Sequence, residues 1–212
     1  MLHFRNLSKS YNGRPIFRGI GHHFDVGAFA LQGANGIGKS TLLALLAGAE
    51  PTDAGEIEID GMSLYGAPLA ARERLSYVPD DCPVYGFLTG QHFFEFIRSI
   101  RKIKSSDRFF GILKGFGIES QLNVRFDAMS LGTQKKFILS AAFIPESRVY
   151  IVDEPTNGLD KSSRSFLIKL VQKYKQRSVF LFSTHDNEFV QETGATVLQL
   201  ESLISQCSTD SC

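Results

Sequence analysis

The sequence predicts an α/β domain with a mostly parallel sheet, an antiparallel β part near its N-terminal end and an inserted helical part. Three observations point there. An apolar run at residues 28–31 leads into a glycine-rich turn and then into the helix-forming Thr-Leu-Leu-Ala-Leu-Leu-Ala at 41–47. β-Branched or aromatic runs at 148–152 and 178–182 flank a helical stretch at 161–174, the βαβ rhythm of parallel strands covered by helices. Ahead of that unit, from residue 86 to about 129, apolar residues recur at helical rather than strand spacing.

In chain order, the first 30 residues and the segment 55–61, Gly-Glu-Ile-Glu-Ile-Asp-Gly, alternate apolar and polar positions between turn residues, as strands of an antiparallel sheet do. In the insert, Phe93, Phe94, Phe96, Ile97 and Ile100 form one broad apolar face, and Phe109, Phe110, Leu113 and Phe116 a second, both read as core. Residues 80–90 mix Val84, Tyr85, Phe87 and Leu88 with the breakers Pro83, Gly86 and Gly90. This link can neither form a regular helix nor stay solvated without exposing apolar surface. The segment 205–212 is polar and reads as a frayed tail. The resulting division assigns 1–80 and 136–200 to the core, 81–135 to the helical subdomain and 201–212 to the tail.

Of the 212 residues, 43% are hydrophobic, ample for one packed domain with an insert. A net charge of +1 lacks the basic surplus of nucleic-acid binders, so no nucleic-acid partner is expected. The local basic run at 98–104 reads as the solvated end of a helix. No stretch reaches the roughly 18 apolar residues of a membrane span, and the N-terminus lacks the charged-then-apolar order of a secretion signal. A cytoplasmic chain is therefore expected. Cys82, Cys207 and Cys212 show no CxxC spacing, which argues against a disulfide framework and a zinc site.

The turn at 33–41, Gly-Ala-Asn-Gly-Ile-Gly-Lys-Ser-Thr, contains the complete pattern GxxxxGK[ST] between Gly33 and Ser40. It marks a P-loop NTPase core. Its glycines let the backbone fold so closely that successive N–H groups from Asn35, Gly36, Ile37 and Gly38 onward to Thr41 point at phosphates, while the helix that follows adds its positive end. Lys39 then reaches the β- and γ-phosphates, and the Ser40 hydroxyl is placed to ligate Mg2+. A second site stands at 149–155, where an apolar strand ends in Asp153 and Glu154. A parallel strand buried on both faces delivers its last residues to the edge where ligands bind. Asp153 there orients Mg2+, and Glu154 accepts a proton from the water that attacks phosphorus.

Further segments complete a pattern: Lys-Ser-Tyr11, Ser-Tyr-Val-Pro-Asp80, Met-Ser130-Leu-Gly132-Thr-Gln-Lys-Lys with Ser130 23 residues before Asp153, Gly158-Leu-Asp160, and Ser-Thr-His185-Asp after the run at 179–182. Together with the two sites above they resemble, over essentially the whole chain, the ATP-binding subunit of an ATP-binding cassette (ABC) transporter, of a single-cassette type with a short helical subdomain. The resemblance implies a RecA-like core, with ATP and Mg2+ as cofactors. It places Tyr11 on the adenine and makes Ser130 and Gly132 the remnant of the signature Leu-Ser-Gly-Gly-Gln. Leu131 replaces the first signature glycine, and Thr133 the glutamine. His185 takes the place of the switch histidine on the γ-phosphate, and residues 158–160 that of the loop through which two subunits communicate. Asp80 stands where the family has a glutamine that senses Mg2+, and the resemblance makes it a metal contact beside Ser40 and Asp153.

Function follows from the same resemblance. It implies ATP hydrolysis with Glu154, His185 and Lys39 as catalytic residues, and a dimer with a second cassette chain, read as an identical copy. Each ATP would lie between the phosphate loop of one chain and the Ser130 segment of the other. Transmembrane permease subunits would complete an exporter, with this chain peripheral on the cytoplasmic face of the cell membrane. Two alternatives stay open: a soluble cassette ATPase acting on nucleic acid or ribosomes, and a P-loop kinase of small molecules.

Overall fold

A computed structural model describes residues 1–81, 84–103 and 107–206. Its centre is a five-stranded parallel sheet. Strands β7 (Val149–Asp153) and β8 (Val179–Ser183) are buried at every position, as continuous apolar runs in a sheet covered on both faces should be. They pair with each other, β3 (Gly27–Gln32) follows on the far side of β8, and β6 (Leu75–Val78) and β9 (Thr196–Gln199) form the edges, giving the order β6-β7-β8-β3-β9. The register sets Asp153 and Leu31 both beside Ser183. Three strand ends therefore meet at one edge, and the glycine-rich turn, Glu154 and His185 all begin there.

The second sheet is antiparallel, with β1 (Leu2–Tyr11), β2 (Arg14–Phe24), β4 (Ala54–Ile59) and β5 (Met62–Ser63) in the order β2-β1-β4-β5. One expectation needs correction here: residues 27–30 belong to the parallel sheet and not to the antiparallel part, because β3 carries Ala28, Ala30 and Leu31 into the buried centre. Helix α1 (Lys39–Leu46) lies between the sheets, its Leu42, Leu43, Leu45 and Leu46 packed between Phe4, Phe17 and Ile57 on one side and Val149, Ile151 and Leu181 on the other. The alternate residues Tyr150, Val152, Phe180 and Phe182 face the opposite layer.

That opposite layer contains α5 (Leu131–Phe143), α6 (Lys161–Tyr174) and α7 (Asn187–Thr193), with the helical insert outside α5. In the insert, α3 (Gly90–Arg101), capped by the Thr89 hydroxyl accepting from His92 N at 3.2 Å, and α4 (Asp107–Phe116) wrap an aromatic cluster of Phe93, Phe94, Phe109, Phe126 and Phe137. The apolar faces are narrower than the sequence pattern suggests. Phe96, Ile100 and Phe110 are exposed, since the insert is a thin layer that covers one flank of each helix. Nor is the basic run simply solvated: Arg101 is half-buried and donates to Arg72 O at 2.8 Å and Leu75 O at 2.6 Å, tying α3 to α2 (Pro68–Glu73) and the start of β6. Lys104 of that run lies outside the described residues.

Helix α5 starts at Leu131, because Ser130 is the N-cap and accepts from Thr133 N at 3.2 Å. At the other end of the chain, α8 (Leu200–Gln206) buries Leu200 and Leu203 against the core around α1. The stretch read as a tail from residue 201 thus opens as a packed helix. Cys82, Cys207 and Cys212 lie outside the described residues.

Candidate nucleotide-hydrolysis site

The phosphate loop follows β3 directly and turns into α1 at Gly38. That residue has φ 112°, and a Cβ there would meet Ile16 Cγ2 at 2.8 Å and Phe17 Cζ at 2.9 Å, so conformation and packing both require glycine. Lys39 is buried, and its Nζ donates to Gly33 O at 2.8 Å and Ala34 O at 3.1 Å. Across the same opening stand the ends of β7 and β8. A cavity of about 370 Å3 is lined by Asn35, Gly36, Gly38, Lys39, Ser40, Thr41, Asp80, Asp153, Glu154 and His185. A second cavity beside it shares Ser40, Thr41, Asp80 and Asp153 and extends to Glu50 and Tyr77.

A short chain of hydrogen bonds fixes the two acids. Ser183 Oγ donates to Asp153 Oδ1, and Glu154 N donates to Ser183 Oγ at 3.1 Å. The turn after β7 holds Glu154 at φ 44°, in the left-handed region that a side chain rarely adopts. Burial pushes the Glu154 carboxyl above its ordinary value; nearby His185 opposes this, while Asp153 and Asp80 add to it. His185 Nε2 lies 3.8 Å from Glu154 Oε1.

Oxygen donors gather where a hard cation would sit. Asp153 is buried and Ser40 shares its cavity, a donor set that fits Mg2+, which is usually held by one or two carboxylates together with substrate phosphates. Among the described residues, no three His, Cys, Asp or Glu side chains form a group that could hold a metal ion by themselves. Asp80 faces the same cavity, but its carboxylate also accepts from Asn157 Nδ2 at 3.4 Å and pairs with Lys135 Nζ at 3.6 Å.

Other residues singled out from the sequence stand apart from this cavity. The Ile37 side chain packs against the core beside α1. Tyr11 sits at the end of β1 with its hydroxyl on Glu50 and Lys9 Nζ 5.0 Å from its ring centre; Thr41 on α1 is its neighbour. Ser130 and Gly132 lie at the exposed start of α5, where a Cβ on Gly132 would come within 2.3 Å of Gly158 O. Sequence reasoning missed Ser183, Lys135 and Glu201. Glu201 Oε1 accepts from Ala34 N at 2.9 Å, a contact across 167 positions that local pattern cannot reveal.

Comparison with known proteins agrees with this geometry. The ABC transporter family pattern matches residues 26–157, well over half of the chain. The SkfA peptide export ATP-binding protein SkfE of Bacillus subtilis (strain 168) is 30% identical over 203 residues, covering 93% of this chain and 84% of its own. The linearmycin resistance ATP-binding protein LnrL of the same organism is 26% identical over 220 residues, covering 100% of this chain and 71% of its own. Among solved structures, the dimeric post-hydrolysis state of the ATP-binding cassette MJ0796 bound to ADP and Pi superimposes with a TM-score of 0.82 at 19% identity, covering 94% of each chain. With a complete phosphate loop, an acid pair at the end of the neighbouring parallel strand and a family match through both, the chain belongs to the ABC transporter family, as an ATP-binding subunit with ATPase activity.

Proposed function

We propose that two copies of this ATPase close on MgATP, open after hydrolysis, and so drive a separate membrane permease in an exporter, from the cytoplasmic face of the cell membrane. The observation that carries the reading is a half-site. The cavity gathers Lys39, Ser40, Asp153, Glu154 and His185, yet Ser130 and Gly132 do not line it and lie at the exposed start of a 13-residue helix. The amides at such a helix start suit a phosphate group, here one presented by a second molecule.

In this reading Lys39 leaves its two loop carbonyls to bind the β- and γ-phosphates, and Tyr11 meets the adenine. Ser40 and Asp153, with Asp80 nearby, would hold Mg2+, which neutralises charge building on the phosphates as the bond breaks. Glu154 accepts the proton of the attacking water, a role its partly buried position favours. His185 contacts the γ-phosphate from the opposite wall.

The permease and the direction of transport draw on other support. An apolar groove of about 230 Å3 runs between core and insert, lined by Tyr77, Val84, Phe93, Ile97 and Ile138 among others. Tyr85 and Phe87, 73% and 65% exposed, stack together at 5.5 Å next to it. A short amphipathic helix from a membrane subunit fits such a groove. Export follows the relative whose name states peptide export. Glu154→Gln keeps shape but removes the base, so this variant should bind MgATP without cleaving it and accumulate as a dimer in light scattering. A variant that binds MgATP at saturation and stays monomeric refutes pairing between identical copies.

A further inference from the structure

The buried amine of Lys135 has no part in the chemistry described so far. Lys135 stands in the second turn of α5 and is 2% exposed. Its Nζ lies 3.1 Å from Pro79 O, 3.4 Å from Asp80 O and 3.1 Å from Asp153 O, and 3.6 Å from Asp80 Oδ1. A lysine ammonium offers three donors. This one aims them at the ends of two adjacent parallel strands, β6 and β7, where the Asp80 link leaves the core and the Asp153–Glu154 turn begins.

A cation removed from water is costly unless it is paired and hydrogen-bonded, and an apolar side chain of similar length would fill the same space without that cost. Asp80 also needs an explanation. Its carboxylate shares a cavity with Asp153 and Glu154 and with the loop that receives phosphates, so without a counter-charge it would add to the repulsion of the substrate. Lys135 supplies that counter-charge from behind the site, while Asn157 holds the same carboxylate oxygen from the loop after Glu154.

We infer that Lys135 is a positioning residue that clamps the end of β6 to the Asp153 strand and acts as the counter-ion of Asp80, so that Asp80 serves the charge balance of the site and not the metal. The inference rests on the proposed role of Asp153 and Glu154 in hydrolysis. It also links two surfaces: α5 is capped by Ser130, and the strand end held by Lys135 leads along the chain to Tyr85 and Phe87.

The test is a cycle of four proteins: wild type, Asp80→Asn, Lys135→Met and the double variant. In each, kcat, KM for ATP, the Mg2+ concentration for half-maximal rate and the thermal melt are measured. Lys135→Met should lower kcat by about 10- to 100-fold, the range for residues that support a site from behind, while KM for ATP changes less than about 3-fold. Removing both charges should recover about 5-fold or more of that loss, as expected of side chains in contact. Asp80→Asn should leave the Mg2+ requirement within about 2-fold, whereas loss of a ligand costs more. Equal losses in the single and double Lys135 variants overturn the pairing, and a raised Mg2+ requirement in Asp80→Asn makes Asp80 a metal contact instead. Should Lys135→Met fail to fold, a cooperative melt in the double variant upholds the pairing and its absence overturns it. An Asp153→Asn protein that hydrolyses ATP at the wild-type rate refutes the hydrolytic assignment alone, and the melting cycle still decides the pairing.

Discussion

Lys39 donates to the carbonyls of Gly33 and Ala34, the first two residues of its own loop, at 2.8 and 3.1 Å. Those bonds satisfy a buried ammonium, and they keep the side chain within the cavity it serves. Exchanging two neutral carbonyls for a phosphate strengthens the contact, because an anionic acceptor adds Coulomb attraction to hydrogen bonds whose donor is already charged. Lys39→Ala should therefore weaken MgATP binding by about 2–5 kcal/mol and abolish hydrolysis. Calorimetry on the folded variant measures the first effect, and an unchanged affinity removes Lys39 from the phosphate site. Ser183 shows how one small side chain can order two acids: its hydroxyl donates to Asp153 and accepts from the Glu154 amide, so the groups proposed to orient the metal and to accept the proton share one support.

Among the elements, the start of α5 and the loop after Glu154 are packed backbone to backbone at Gly132 and Gly158, and Lys136 of α5 pairs with Asp160, the N-cap of α6. The same aspartate accepts from Ser163 N at 2.9 Å and Ser162 Oγ at 2.6 Å. Lys136 first, then these two serines, hold its carboxyl well below the usual range. The sign follows directly. A depressed value in the folded chain means that the ionised form stabilises the fold above the ordinary carboxylate value, and that this share is lost as pH falls toward the folded-state value. Asp160→Ala should lower stability by about 1 kcal/mol at neutral pH through the lost cap. Its difference from wild type should shrink on acidification. Urea titrations at pH 7 and at pH 3 measure both; a gap that stays constant assigns the effect to something other than the carboxylate.

At the scale of the whole molecule, the phosphate loop, the acid pair and His185 sit on rigid strand ends, whereas the apolar surface of Tyr85, Phe87, Phe96 and Ile100 lies on the thin helical layer around the groove. In the proposed exporter, this separation allows docking and hydrolysis to be broken independently. Tyr85→Asp or Phe87→Asp should leave ATP binding intact and reduce both co-purification with the permease and its stimulation of hydrolysis. Wild-type values for both readouts in both variants would move the docking surface elsewhere.

The chemistry of this chain is written in short stretches. The phosphate loop, the strand ending in Asp153 and Glu154 and the βαβ rhythm at 148–182 are each specified by neighbours within a few residues, which is why helix α6 occupies the stretch 161–174 read from periodicity and β7 and β8 fall within one residue of their expected bounds. Three kinds of fact had to wait for the fold. Sheet membership of β3 depends on what covers its two faces, and no alternation pattern of four residues contains that information. The width of a helix's buried stripe depends on how many neighbours pack against it, so Phe96, Ile100 and Phe110 look like core in the sequence and stand exposed in the structure. Contacts such as Lys135 with Asp80 and Asp153, or Glu201 with Ala34, join residues 18 to 167 positions apart. Spacing along the chain encodes local geometry, whereas the distance between two remote side chains is settled only when the sheet register brings their backbones together.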